Sequence, residues 1–229
     1  MPKVPVKVVK WDEIVAWSRK LADNIRASGW KPDVVVAVAR GGYVPARLLC
    51  DFLGVQDLLS VQIVHWPGAA QVAERAYVKY GLSADLSGKE VLVMDDIVDT
   101  GDSVLLAKEV VEKCCKPKSV KTAALQVITS TTKYVPDFYA IEVRDWYWYQ
   151  YPWTALEDMS SFIIRMMREE KQELWTLDKI VEKFVEWYGN ELLEERFLYF
   201  REALERLRNN GVLKQVDCGG HTCYQLQQR

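Results

Sequence analysis

The chain has 229 residues, of which 49% are hydrophobic and 27% charged, enough for one full domain with a smaller appendage and too apolar for a disordered polymer. Thirty lysines and arginines against 32 acids leave a formal charge of −2, so no broad positive field is present to hold nucleic acid or an anionic membrane, and any anion site must be local. The apolar run Val34 to Ala39 spans six residues, far short of the ~18 of a membrane span, and the first residues carry charges and prolines where a signal peptide would be apolar. No membrane partner and a cytoplasmic location are expected. Cys50, Cys114, Cys115, Cys218 and Cys223 form an odd, scattered set, for which free thiols are the expectation. Cys218 and Cys223, with His221 between them, leave a hairpin disulfide or half a metal site open, although no fourth zinc ligand lies nearby.

In chain order, helical spacing of Ile14, Val15, Trp17, Leu21 and Ile25 predicts an amphipathic helix from about Trp11 to Ser28, ended by Gly29. Val34 to Ala39 is β-branched and without polar alternation, as in a strand buried on both faces of a parallel sheet. The turn Gly41-Gly42 and a helix from about Val44 to Leu53 complete a strand-loop-helix unit. Leu58 to Val64, Val91 to Met94, Val120 to Ile128 and Phe138 to Val143 read as further strands, with a helix from about Ser103 to Cys115. This alternation predicts an α/β domain with a mainly parallel sheet up to about residue 160, with ligands at the carboxyl ends of its strands. The connection between Val64 and Lys89 has weak periodicity and the length of a functional loop.

Composition shifts from Ser160 onward. Leu177, Ile180, Val181, Phe184 and Val185 define one helix face, and Phe197, Phe200, Leu204 and Leu207 another, which Asn209-Asn210-Gly211 ends. Val212 to Val216 and Thr222 to Leu226 flank Gly219-Gly220, a hairpin signal. Helix, helix, hairpin outlines a small winged-helix-like α+β module over residues 165–229.

The densest chemical signal is Val91-Leu-Val-Met-Asp95-Asp96-Ile-Val-Asp99-Thr100-Gly101-Asp102-Ser103, a buried strand that runs into acidic, glycine and hydroxyl residues at a helix start. Free N–H groups and the helix dipole favour a phosphate there, and Gly101 permits close approach. Adjacent carboxylates suit ribose hydroxyls and Mg²⁺. A second strand ends in Arg40-Gly41-Gly42, where an arginine fork and exposed amides suit a diphosphate. Six aromatics crowd residues 145–153, and strand alternation sets Trp146 and Trp148 on one face and Tyr147, Tyr149 and Tyr151 on the other, either as a stacking platform for a flat base or as an aromatic core or dimer contact.

The acidic run resembles the 5-phosphoribosyl-1-pyrophosphate (PRPP) signature of the type I phosphoribosyltransferases. The Arg40-Gly41-Gly42 loop resembles their pyrophosphate loop, in which a peptide is often strained or cis. Trp148, three residues, then Pro152-Trp153 resembles the hood of bacterial xanthine-guanine phosphoribosyltransferases, with motifs in matching order from about residue 30 to 153. The resemblance implies the type I fold over residues 1–160, hood included, and a purine phosphoribosyltransferase, a glycosyltransferase of purine salvage that accepts hypoxanthine, guanine or xanthine. It implies that Asp95 and Asp96 hold the ribose 2′- and 3′-hydroxyls, Asp96 also Mg²⁺, and that Thr100, Gly101, Asp102 and Ser103 cradle the 5′-phosphate through backbone amides. Asp102 stands where glycine, lysine or arginine is more usual, so its side chain is expected to face away from the phosphate. Asp99 matches the general base or proton relay beside N7, Trp148 stacks on the base, and the backbone at Tyr149 reads its edge. The family's lysine for the purine 6-oxygen has no direct counterpart: Lys133 reaches back, or Gln126 or a hydroxyl takes its place. Arg75 and Lys79 are candidates to close over the diphosphate. A homodimer is expected.

The competing reading is a PRPP-sensing transcriptional regulator, since some proteins of this fold carry a winged-helix module. From Arg165 onward, 11 basic residues against 12 acidic ones disfavour a DNA-binding face. A bare dimerisation role for that module and a different nucleobase acceptor also remain open.

Overall fold

The computed structural model describes residues 3–65 and 76–227. Its elements run β1 (Val6–Val8), α1 (Trp11–Ala27), β2 (Val34–Ala39), α2 (Tyr43–Leu53), β3 (Asp57–Val64), β4 (Tyr77–Tyr80), β5 (Glu90–Val98), α3 (Asp102–Cys115), β6 (Ser119–Ile128), β7 (Phe138–Val143) and β8 (Trp148–Gln150). They continue through α4 (Ala155–Glu170), β9 (Trp175–Thr176), α5 (Leu177–Tyr188), α6 (Asn190–Glu195), α7 (Phe197–Asn209), β10 (Leu213–Asp217) and β11 (Thr222–Leu226). Contacts divide the chain into two units, the described residues 10–65 with 76–146, and 3–9 with 147–227.

The first unit is a six-stranded sheet in the order β4-β3-β2-β5-β6-β7. Its pairings are parallel except between β3 and β4. All six residues of β2 are buried, as its unbroken β-branched run requires of a central strand covered on both faces. Along β5 the alternation splits the core: Val91 and Val93 join Val104, Ala107 and Val111 of α3 in one cluster, while Leu92 and Met94 point to the opposite face and are fully buried. Helix α1 packs on β7 and β6, and α2 on β2 and β5.

Two features depart from the sequence reading. The connection after Val64 contains β4, antiparallel to β3. Strand β5 outruns the predicted Met94 by four residues, carrying Asp95 and Asp96 within a strand, where Asp95 pairs with Ala124 of β6. The β2–β5 register stops at Ala37 and Met94, so the acidic pair begins where β2 leaves the sheet edge of β5.

In the second unit β1 pairs in parallel with β8, Val6 opposite Trp148. The order α4, β9, α5, α6, α7, β10, β11, with β9 added antiparallel to β11, is a helix-strand-helices-hairpin arrangement with a small antiparallel sheet. Trp175, Phe184, Phe200, Phe162 and Met159 form its buried centre. Phe162 and Tyr188 stack at 4.4 Å. Helix α4 was not foreseen as an element; its buried Met159, Phe162, Ile163, Met166 and Met167 supply one wall of this core. No described helix is long and apolar enough to cross a membrane.

Candidate active site

The carboxyl edge of the sheet in the first unit brings the two sequence motifs together. Strand β2 ends in a cis peptide between Ala39 and Arg40, and the chain turns through Gly41 and Gly42 into α2. A Cβ at Gly41 would lie 2.8 Å from the Asp96 carboxyl carbon, and one at Gly42 would lie 2.6 Å from the Met94 carbonyl oxygen and 2.7 Å from that of Val38. The glycines of one motif therefore touch the acids of the other, and at Gly42, which meets backbone oxygens, only glycine fits. Arg40 is exposed at the head of this turn.

Asp95 and Asp96 are both buried. The Asp95 carboxylate accepts the Asp96 amide at 2.9 Å, and the Asp96 carboxylate accepts the Ile97 amide at 2.9 Å. Burial, reinforced by the Asp96 carboxylate, pushes Asp95 well above the usual aspartate range. Two crowded carboxylates of this kind are hard oxygen donors that release protons when a divalent cation or hydroxyl donors arrive, so the residues present fit Mg²⁺.

Downstream, Gly101 has φ +94°, and a Cβ there would lie 2.7 Å from Tyr134 Cβ. Tyr134 is fixed in turn by its hydroxyl, 3.0 Å from Thr122 Oγ1, and Asp137 accepts from the Thr122 amide and hydroxyl. The Lys133 amide donates to the Thr100 carbonyl at 2.9 Å. The segment after β6 thus braces the Thr100–Ser103 turn, at which α3 begins. The Asp102 amide donates to Thr100 Oγ1 at 3.3 Å, while its carboxylate lies 3.8 Å from His65 Nε2. The side chain of Lys133 is exposed, and Gln126 is buried in β6.

Asp99 is held by two donors that sequence reasoning did not single out: the Thr131 hydroxyl hydrogen bonds to Oδ1, and the Trp146 indole N–H donates to Oδ2 at 3.4 Å. The hydroxyl run Thr129 to Thr132 was the available signal for the first. Arg75 lies outside the described residues; Lys79 is exposed on β4, with Nζ 5.7 Å from the Tyr80 ring centroid.

Within the second unit, Trp148 lies on β8, half-buried, with its indole edge-on to Phe162 at 6.2 Å and 77°, and it packs against the core of that unit. Tyr149 follows it, with Tyr147 and Tyr149 edge-to-face at 6.2 Å. Tyr151 is buried and stacks on Trp153 at 4.7 Å. The five cysteines carry free thiols, and a hydrogen bond to Cys223 pushes Cys218 up to about 11. Among the described residues no group of three potential metal ligands of the His, Cys, Asp and Glu type occurs.

Residues 7–154 match the family model described as the phosphoribosyl transferase domain. Among solved structures, a purine phosphoribosyltransferase from Pyrococcus horikoshii is 30% identical with a TM-score of 0.55, over 65% of this chain and 93% of that one. A hypothetical protein from Neisseria gonorrhoeae with bound ppGpp is 26% identical with a TM-score of 0.58, over 75% and 99% of the two chains. The Helicobacter pylori xanthine-guanine-hypoxanthine phosphoribosyltransferase shares the fold at 21% identity and a TM-score of 0.55, over 65% and 93%. With a family model that spans most of the chain and both expected motifs abutting at one sheet edge, the chain belongs to the phosphoribosyl transferase domain family and is a type I phosphoribosyltransferase in fold.

Proposed function

We propose that this phosphoribosyltransferase transfers the 5-phosphoribosyl group of PRPP to a purine base, with hypoxanthine, guanine or xanthine as acceptor, in nucleotide salvage. The observation that carries the reading is the contact of Gly41 with the Asp96 carboxylate, because a turn that holds a diphosphate and an acid pair that holds a ribose must adjoin for PRPP to span them. The purine specificity in the name of the Pyrococcus horikoshii enzyme and the ppGpp on the Neisseria gonorrhoeae protein support a purine acceptor.

In this reading the amides of Thr100, Gly101 and Ser103 hold the 5′-phosphate at the start of α3, while the Asp102 amide, expected there too, is given to Thr100 Oγ1. Asp95 and Asp96 accept the ribose hydroxyls, and Arg40 with the Gly41 amide holds the diphosphate, while the Gly42 amide, expected there too, is taken by the Val38 carbonyl at 2.9 Å. Asp96 would hold Mg²⁺, which supplies charge neutralisation to the departing diphosphate. A bond forms between a purine nitrogen and C1′ as the C1′–O bond to pyrophosphate breaks, and positive charge develops on the sugar ring. Asp99, oriented by Thr131 and Trp146, takes up or relays the proton that the base gives up. Trp148 stacks on the purine, the backbone at Tyr149 reads its edge, and Lys133 reaches the 6-oxygen. Residues 1–160 act as the catalytic module, and residues 165–229 as a winged-helix-like accessory in a cytoplasmic homodimer.

A PRPP-sensing regulator is the second reading, favoured by the order of α4, β9, α5, α7, β10 and β11. Incubation with Mg²⁺, PRPP and, separately, hypoxanthine, guanine, xanthine, adenine and uracil separates the two. Nucleotide and pyrophosphate from a 6-oxopurine support the enzyme. Tight PRPP binding without product from any base supports the sensor.

A further inference from the structure

We propose that His65 is a positioning residue for the phosphate loop, drawing the Asp102 carboxylate away from the bound 5′-phosphate. The inference rests on the reading of Thr100–Ser103 as the 5′-phosphate cradle and adds to it the residue that makes an aspartate tolerable there. Asp102 is the first residue of α3, where the free amides and the helix dipole attract an anion, so its own carboxylate competes with the ligand for that field. Like charges a few ångströms apart repel appreciably in a partly desolvated site.

The direction of the Asp102 side chain relieves the conflict. The Asp102 amide is turned inward to Thr100 Oγ1 at 3.3 Å, and the carboxylate is turned toward His65, with Oδ2 3.8 Å from Nε2. His65 directly follows β3, at the same carboxyl edge of the sheet, and its side chain is only 7% exposed against 49% for Asp102. The imidazole is therefore the fixed member of the pair and the carboxylate the movable one. The imidazole attracts the carboxylate when protonated, and also when neutral with its hydrogen on Nε2. Neither residue needs to touch the ribose or the base, so the pair acts on phosphate affinity alone.

Calorimetric titration of the full chain with ribose 5-phosphate, and of PRPP with Mg²⁺, tests this without knowledge of the acceptor base. His65→Ala is expected to weaken both by about tenfold or more, equivalent to ~1.4 kcal/mol, while His65→Gln, which keeps a donor, recovers part of the loss. Adding Asp102→Asn to His65→Ala is expected to recover most of it, because the freed carboxylate is gone. In turnover assays the loss appears in KM for PRPP with kcat little changed, as for lost uniform binding. Unchanged affinity in His65→Ala, or a double variant as weak as His65→Ala, overturns the proposal while leaving the cradle intact. Failure of the unaltered protein to bind either ligand overturns the cradle itself, and the role of His65 with it.

Discussion

Gly42→Ala is the most demanding test of the packing at the active-site edge. Gly42 has φ −66° and ψ −11°, a conformation open to any residue, so crowding alone demands glycine there. An added Cβ would lie 2.6 Å from the Met94 carbonyl oxygen and 2.7 Å from that of Val38. To reach the ~3.3 Å of an ordinary close C···O contact, these must retreat by roughly 0.6–0.7 Å. Both oxygens belong to the backbone of central strands or their register, and the Val38 carbonyl also accepts the Gly42 amide at 2.9 Å, so no side chain can rotate aside. Overpacking of this kind costs about 2–3 kcal/mol, which for a protein of this length lowers Tm by roughly 4–12 °C. Gly41→Ala makes the contrast. The atoms nearest its Cβ are those of the Asp96 carboxylate, a side chain that can swing away, so Tm is expected to stay within about 2 °C while PRPP affinity falls by more than about tenfold, since the acid pair is displaced. Thermal melts and PRPP titrations of both variants decide it. An unchanged Tm in Gly42→Ala, or full PRPP affinity in Gly41→Ala, refutes the reasoning.

Asp99→Asn is expected to lower kcat by about 10²–10⁴ with PRPP binding retained; near-normal turnover removes Asp99 from the proton path. Thr131→Val, which deletes a donor to Asp99, is expected to lower kcat more than KM for either substrate, whereas an equal rise in KM with normal kcat argues against an orienting role. The raised pKa of Asp95 contributes stability that is complete below the ordinary aspartate range and is lost as pH rises through its elevated folded value. In the absence of metal and ligand, Asp95→Asn is therefore expected to melt higher than the unaltered protein at neutral pH while losing PRPP affinity, and a lower Tm contradicts the assignment. Glu90 shows the opposite sign: hydrogen bonds from Lys118, Ser119 and Trp30 hold it down from 4.5 to about 2. Its contribution is present above 4.5 and lost as pH falls toward about 2, so Glu90→Gln is expected to flatten the acid limb of a stability–pH curve in that window.

The sheet was legible because burial on both faces leaves consecutive apolar runs, and the predicted strand at Phe138 to Val143 matches β7 residue for residue. Strand β4 escaped because all four of its residues are exposed, which leaves no alternation to read. Three-residue β1, set between prolines and charges, is too short for any period, and it exists through pairing with β8. Phe197 was expected on the inner face of its helix, yet it is 52% exposed, because the core stripe of α7 begins with Phe200. The acidic and glycine motifs were readable as local strings. Their mutual contact, the Tyr134 wall against Gly101, and the approach of His65 to Asp102 arise from residues far apart in sequence and become visible only once the strands are paired.

In the proposed function one sheet edge grips a pentose phosphate through Thr100–Ser103 and the Asp95–Asp96 pair. A crystal structure with a purine nucleoside 5′-monophosphate measures this directly. The expected result is the phosphate on the amides at the start of α3 and the ribose hydroxyls on the two carboxylates. A nucleotide bound elsewhere, with that loop empty, would contradict it.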